Sequence, residues 1–203
     1  MKRTIFCMLL AALGAGCSSG GNGELRTDYF QGELTCYDDS ATLRDCATAY
    51  TYAVSPSGVF PDVRREYDGM GGTPHAPLFI ACRARVIAAG AGRPDSLVID
   101  GLIDMSRSEE CASGFLLPGI YEASSDSLRQ QVLQLRPDRT FRITRYSADG
   151  EHETTGTWGL ASELELVLSP ADSLQLRFEV IPDQESLAGN GDAGPLVFRK
   201  VYL

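Results

Sequence analysis

Residues 173–180 have the sequence SLQLRFEV, in which every second side chain is apolar. In an extended chain one face of this segment would carry four apolar residues: Leu174, Leu176, Phe178 and Val180. The opposite face would carry the polar and charged side chains. A period of two is typical of a half-buried β-strand, because successive side chains point to opposite faces. The segment therefore predicts a strand with Leu174 as its first inward-facing residue.

The same alternation occurs in neighbouring segments. Leu164, Leu166 and Leu168 alternate against Glu163 and Glu165. Phe141 and Ile143 alternate with polar residues. The sequence Arg-Pro-Asp-Arg at 136–139 predicts a hairpin turn, because proline presets φ and an aspartate side chain bonds to nearby backbone. Short strands separated by turn residues at this spacing predict an antiparallel barrel or sandwich over residues 115–203.

The first half of the chain also predicts strands, at Tyr29 to Tyr37, Leu78 to Ile87 and Leu97 to Met105. One short helix is expected at Val59 to Tyr67, because Pro61 fits its first turn, where a backbone N–H is not needed. Strands, a helix and two further strands are the order of an OB-type barrel. The fold class is thus all-β, with domains at 24–111 and 115–203 joined by a polar linker.

The amino terminus predicts export and lipidation. Lys2 and Arg3 precede an apolar run of signal-peptide length, which is too short to span a bilayer. Small residues then precede Cys17, as in a bacterial lipobox. We predict a signal peptide at 1–16, acylation of Cys17, and a flexible tether at 17–23. The alternative is an ordinary signal peptide with an unrelated cysteine.

Charge and motif content restrict the function. Removal of Lys2 and Arg3 would change the formal net charge from −9 to −11, and an acidic protein repels nucleic acid. Zincin and P-loop motifs do not occur. His75 lies in a Pro-rich loop, and His152 lies between two glutamates that an extended chain points away from it. We therefore expect no catalytic residue, no cofactor and no metal site.

Several segments resemble the NlpE family of copper-resistance and envelope-stress lipoproteins. In the second half these are PGIYEA, LQLRPDRTFRITR, GTW, LELVLSP and PLVFRKVYL; in the first they are GELTC, DDSATLRDCATAYTYAV, LVIDGLIDM and EEC. The resemblance implies an OB-like domain followed by a lipocalin-like barrel, the reverse of the order in the best-known member. The family's L-P-C-x-D-C motif is replaced by serines, Ser124 and Ser127 included. Hydroxyls do not replace the thiolates that copper(I) prefers, so the resemblance does not carry copper binding to this chain.

Four cysteines remain in the mature chain, and an even number in an oxidising compartment predicts two disulfides with three possible pairings. We predict Cys36–Cys82, because both residues face inward by strand phase on strands that are neighbours in an OB topology. We also predict Cys46–Cys111, which ties the end of the first domain to its middle. The resemblance suggests the second pair as well.

These expectations together predict a non-enzymatic outer-membrane lipoprotein. Ser18 resembles an outer-membrane sorting signal, so the protein would be held on the lipid bilayer through acylated Cys17, facing the periplasm. It would bind a small apolar ligand or an envelope protein, with a role in envelope stress sensing. The alternatives are a copper- or metal-handling envelope lipoprotein, as the family name implies, and a periplasmic hydrolase or inhibitor.

Overall fold

The chain forms two closed β-barrels, described over residues 27–70, 73–88, 95–111, 116–124, 130–191 and 194–202 of a computed structural model. The predicted signal peptide at 1–16 and the tether at 17–23, with Cys17, lie outside the described residues. Within the described residues, no helix has the length and apolar character needed to cross a membrane.

The first barrel contains five strands and one helix: β1 (Asp28–Cys36), β2 (Ala41–Asp45), β3 (Thr51–Val54), α1 (Phe60–Met70), β4 (Leu78–Ile87) and β5 (Ser96–Ser106). The strand order is β1-β2-β3-β5-β4, and pairing of β1 with β4 closes the barrel. Only β3 and β5 pair in parallel among these strands. This arrangement confirms the predicted OB-like barrel with one short helix.

The helix α1 begins one residue later than predicted and ends three residues later, with Pro61 in its first turn. Val63 is its buried residue and packs against the barrel core. The charged residues pair along its outer surface, Asp62 with Arg65 at 2.9 Å and Arg64 with Asp68 at 3.0 Å. The partly buried Phe60, Tyr67 and Met70 also pack against this core, so the helix covers the barrel with its apolar side chains.

The second barrel contains eight strands: β6 (Gly119–Ser124), β7 (Gln130–Leu135), β8 (Thr140–Ser147), β9 (Gly150–Ser162), β10 (Glu165–Pro170), β11 (Leu176–Ile181), β12 (Ser186–Gly191) and β13 (Gly194–Val201). Each strand pairs antiparallel with the next along the chain, and β13 pairs with β6 to close the barrel. This up-and-down topology is that of lipocalin-like barrels, as predicted.

The alternation in residues 173–180 begins later in the structure than expected. Leu176, Phe178 and Val180 face the core, but Leu174 is 88% exposed. The chain bends after Pro170, and the pairing of β10 with β11 ends at Leu168 opposite Leu176. Leu174 therefore lies in the connecting loop, where no neighbouring strand covers it.

The predicted Cys36–Cys82 disulfide is wrong. Both cysteines are buried, and their strands are neighbours, as the strand phase indicates, but both are free thiols. The register is the reason: Cys82 lies opposite Phe30, and Cys36 is six residues further along β1. At roughly 3.4 Å per residue, that offset is about 20 Å, far beyond the Cα separation of about 4.4–6.8 Å that a disulfide needs.

Candidate functional site

The hairpin turn between β7 and β8 builds one wall of a cleft between the barrels. Arg139 N donates to Arg136 O at 3.1 Å, and Arg136 N donates to Thr140 O at 3.0 Å. Asp138 accepts a hydrogen bond from Thr140 N at 3.0 Å. These bonds confirm the predicted turn and the predicted role of its aspartate.

Arg139 occupies the left-handed position of this turn, with a φ of +61°. Glycine or asparagine is usual there, because the Cβ atom of most other residues strains the backbone in this conformation. Trp158 holds the turn with two hydrogen bonds: its backbone N donates to Arg139 O at 2.8 Å, and its indole Nε1 donates to Arg136 O at 3.0 Å. The strained backbone is therefore held by the second barrel, and it directs the Arg139 side chain into the first.

The Arg139 guanidinium is buried in an ionic cluster with two carboxylates of the first barrel. Its Nη2 donates to Asp45 Oδ2 at 2.9 Å, and its Nη1 lies 4.0 Å from Asp28 Oδ2. It also lies over the Phe30 ring, 4.0 Å from the ring centroid. The side chains of Arg139 and Asp45 are only 8% and 1% exposed. One positive charge thus joins the two barrels across an interface from which water is excluded.

The segment that follows β2 forms hydrogen bonds to Asp45 and also to the chain that leads into the second barrel. Asp45 accepts hydrogen bonds from Ala47 N at 3.2 Å and from the Thr48 hydroxyl at 2.7 Å. The next residue, Cys46, forms a disulfide with Cys111, with a Cα–Cα distance of 5.2 Å. Leu117 N donates to Ala47 O at 2.9 Å. The disulfide, the ionic cluster and the inter-barrel connection therefore converge within a few residues.

The cluster shifts the pKa values of its members. Burial lowers the pKa of Arg139, but Asp45, Tyr52 and Asp28 outweigh burial and hold that pKa above its ordinary value. Burial raises the pKa of Tyr52, and the nearby Arg139 charge offsets part of that rise. Both side chains accordingly keep their neutral-pH protonation states well into the alkaline range.

A cleft of about 430 Å³ opens beside this cluster. Both barrels line it, with these residues: Tyr50, Tyr52, Val86, Asp95, Gln134, Arg136, Pro137, Asp138 and Arg139. The rings of Tyr50 and Tyr52 pack edge to face with centroids 4.7 Å apart, and Tyr50 reaches the rim. Apolar and aromatic walls with a few polar groups at a domain interface are typical of a ligand site.

The interior of the second barrel is packed with side chains. Five large aromatic residues are at most 2% exposed there: Tyr121, Phe141, Trp158, Phe178 and Phe198. Leucine, isoleucine and valine side chains from the surrounding strands complete this core. An apolar ligand inside the barrel would therefore have to displace core side chains.

A second cavity of about 510 Å³ lies at the opposite end of the first barrel, beside α1. His75 is one of the residues that line this cavity, and its backbone has a φ of +62°. Its Nδ1 lies 2.8 Å from Cys36 O. Burial raises the pKa of Cys36 to about 11 and that of Cys82 to about 12, so both thiols are poor nucleophiles at neutral pH.

Metal-ligating side chains do not converge in the part of the chain that the structure describes. No group of three or more His, Cys, Asp or Glu residues there could hold an ion. His152 lies in β9, opposite Arg145. Ser124 ends β6, whereas Ser127 falls outside the described residues.

Residues 24–112 match the family model of the NlpE C-terminal OB domain. The first barrel is an OB domain of the NlpE type. The match covers the first barrel and ends at the segment that leads into the second. No curated protein and no solved structure shows significant similarity to the chain. NlpE-type proteins are envelope lipoproteins associated with stress and copper responses, and they are in general not enzymes.

The ionic cluster was not predicted from the sequence. The turn signal places Arg139 but does not pair it with Asp28 or Asp45, which lie about a hundred residues earlier in the chain. One local signal was present: an arginine occupies a turn position that favours glycine or asparagine, and such an exception indicates a tertiary contact.

Proposed function

We propose that this NlpE-type protein is an outer-membrane lipoprotein, held on the bilayer through acylated Cys17 and facing the periplasm. It acts without catalysis, by binding an envelope protein or a small envelope ligand in the cleft between its barrels. This binding contributes to the response to envelope stress.

The observation that carries this proposal is the cleft itself. Its volume of about 430 Å³ falls within the range of about 300–1,000 Å³ usual for ligand sites, and residues from both barrels line it. The packed interior of the second barrel favours this cleft over the barrel lumen as the site for a ligand.

The position of the anchor is compatible with this role. Cys17 precedes Asp28 by eleven residues, which span at most roughly 40 Å when fully extended. Asp28 belongs to the ionic cluster at the barrel interface. Acylation of Cys17 would therefore keep the cleft near the bilayer surface, within reach of other envelope proteins.

Photo-cross-linking in living cells tests the proposal. A photoreactive phenylalanine analogue replaces Tyr50 at the cleft rim, and in a control chain it replaces Leu174, which is 88% exposed on a loop of the second barrel. We expect a discrete adduct from position 50 that position 174 does not give. Adducts of the same size and yield from both positions, or none from position 50, would count against the cleft as the binding site.

A further inference from the structure

We propose that the cleft recognises a positively charged group attached to an apolar or aromatic body, such as an organic ammonium ion or a Lys or Arg side chain of a partner. This inference rests on the proposed binding function and names the chemical class of the ligand.

The charges of the cleft and of the cluster behind it favour a cationic ligand. Two acidic and two basic residues line the cleft, Asp95 and Asp138 against Arg136 and Arg139. The charge of Arg139 is already engaged by Asp45 and Asp28, both within 4.0 Å of its guanidinium. Counting these two carboxylates, the cleft and the cluster behind it carry an excess of two negative charges, which a cation would complement.

The aromatic wall of the cleft also favours a cationic ligand. The faces of tyrosine rings attract cations, and the attraction strengthens as water is excluded. Tyr50 supplies the exposed ring on one side of the cleft and Tyr52, 3% exposed, packs against it, while Val86 and Pro137 supply apolar contacts for the body of the ligand. Tyr50 is 36% exposed, so its ring is accessible to a ligand entering from solvent.

An anionic ligand fits the same geometry less well. Arg139 Nε and Nη1 have no hydrogen-bond partner and would suit an acceptor, but both atoms are covered from solvent. A ligand in the cleft does not reach them. Arg136 is the remaining cation of the wall and would attract an anion and repel a cation, but the lining carboxylates Asp95 and Asp138 outnumber it.

Binding of matched probes to the full chain carrying Cys17→Ser tests the proposal by calorimetry. The probes are benzyltrimethylammonium, neutral benzyl alcohol and anionic benzoate. The affinities of two peptides, acetyl-Phe-Lys-amide and acetyl-Phe-Gln-amide, are compared to test whether a protein side chain supplies the cation. We expect the cationic member of each set to bind about tenfold more tightly than its neutral or anionic counterpart, and less tightly as salt is added. The relative affinities of the ammonium ion and the lysine peptide then identify the source.

Two variants test the sign of the electrostatics. Asp95→Asn should raise the Kd of the cation about three- to tenfold, and Arg136→Gln should lower it by a similar factor. Asp149→Asn, in the exposed turn between β8 and β9, is the matched control and should leave the Kd unchanged. Far-UV circular dichroism verifies that the variants are folded.

Benzoate binding as tightly as the ammonium ion, a lowered Kd for Asp95→Asn, a raised Kd for Arg136→Gln, or equal effects of Asp95→Asn and Asp149→Asn would each overturn the inference. Failure here combined with a position-50 cross-link in cells would reject only the ligand class. Absence of that cross-link would instead reject the proposed function.

Discussion

Replacing Arg139 with methionine removes the charge that joins the barrels and keeps much of the apolar stem. The change leaves Asp45 buried, at 1% exposure, without its cationic partner, and it removes the positive charge near Asp28, which is 15% exposed. Removing one member of a buried ion pair typically costs about 3–5 kcal/mol, because the remaining charge stays desolvated. For a chain of this size we expect the midpoint of thermal unfolding to fall by roughly 10 °C.

Urea denaturation followed by tryptophan fluorescence measures this loss directly. The chain has one tryptophan, Trp158, which contacts the turn that carries Arg139. Arg142→Met is the matched control, because Arg142 pairs with Glu153 at 3.4 Å with both side chains more than 40% exposed. Exposed pairs contribute at most about 1 kcal/mol. A loss for Arg139→Met no larger than that for Arg142→Met would refute the reasoning.

A double-mutant cycle separates the charge interaction from other effects of Arg139→Met. Asp45→Asn removes the carboxylate charge but keeps an oxygen that can accept the hydrogen bond from Ala47 N. Because the double variant leaves no unpaired charge at position 45, its loss should be smaller than the sum of the two single losses by at least about 1 kcal/mol. Additive losses would mean that the two residues do not interact.

Three further outcomes are expected. Replacing both Cys46 and Cys111 with serine should cost about 4 kcal/mol in the chain-entropy model, measured by urea denaturation, since the disulfide closes a separation of 65 residues; an unchanged midpoint would contradict this. Gly156→Ala should lower the free energy of unfolding by about 1–3 kcal/mol, because the added Cβ would lie 2.3 Å from Ser169 O. The control Gly69→Ala, at an uncrowded position of α1, should leave that free energy unchanged or raise it. A radioactive fatty acid should label the parent chain but not Cys17→Ser, and equal labelling would rule out acylation at that residue.

The barrels could be predicted because their signals are local. A period-two pattern places Leu166, Leu168 and Phe178 in the core wherever the neighbouring strand lies. The turn at 136–139 follows from proline and aspartate chemistry within four residues. Each of these features depends on residues close together in the chain, so the sequence is sufficient to predict them.

The features that could not be predicted depend on register and on distant contacts. Strand phase correctly points Cys36 and Cys82 inward, but phase does not fix how far one strand slides along the next. The same limit applies to Arg139, whose carboxylate partners lie in the other barrel. Leu174 continues the sequence alternation of β11, but the chain bends before it, so no neighbouring strand packs against its side chain. The candidate cleft exists only once these long-range contacts are made.

The shape of the cleft depends on one fixed docking arrangement of the two barrels. Electron–electron double resonance between spin labels at Glu66→Cys on α1 and Asp149→Cys on the far turn of the second barrel measures that arrangement directly, since both positions are exposed. We predict a single narrow distance distribution that becomes broad when Arg139→Met is added. A broad distribution in the chain that retains Arg139, or one that Arg139→Met leaves unchanged, would contradict the claim.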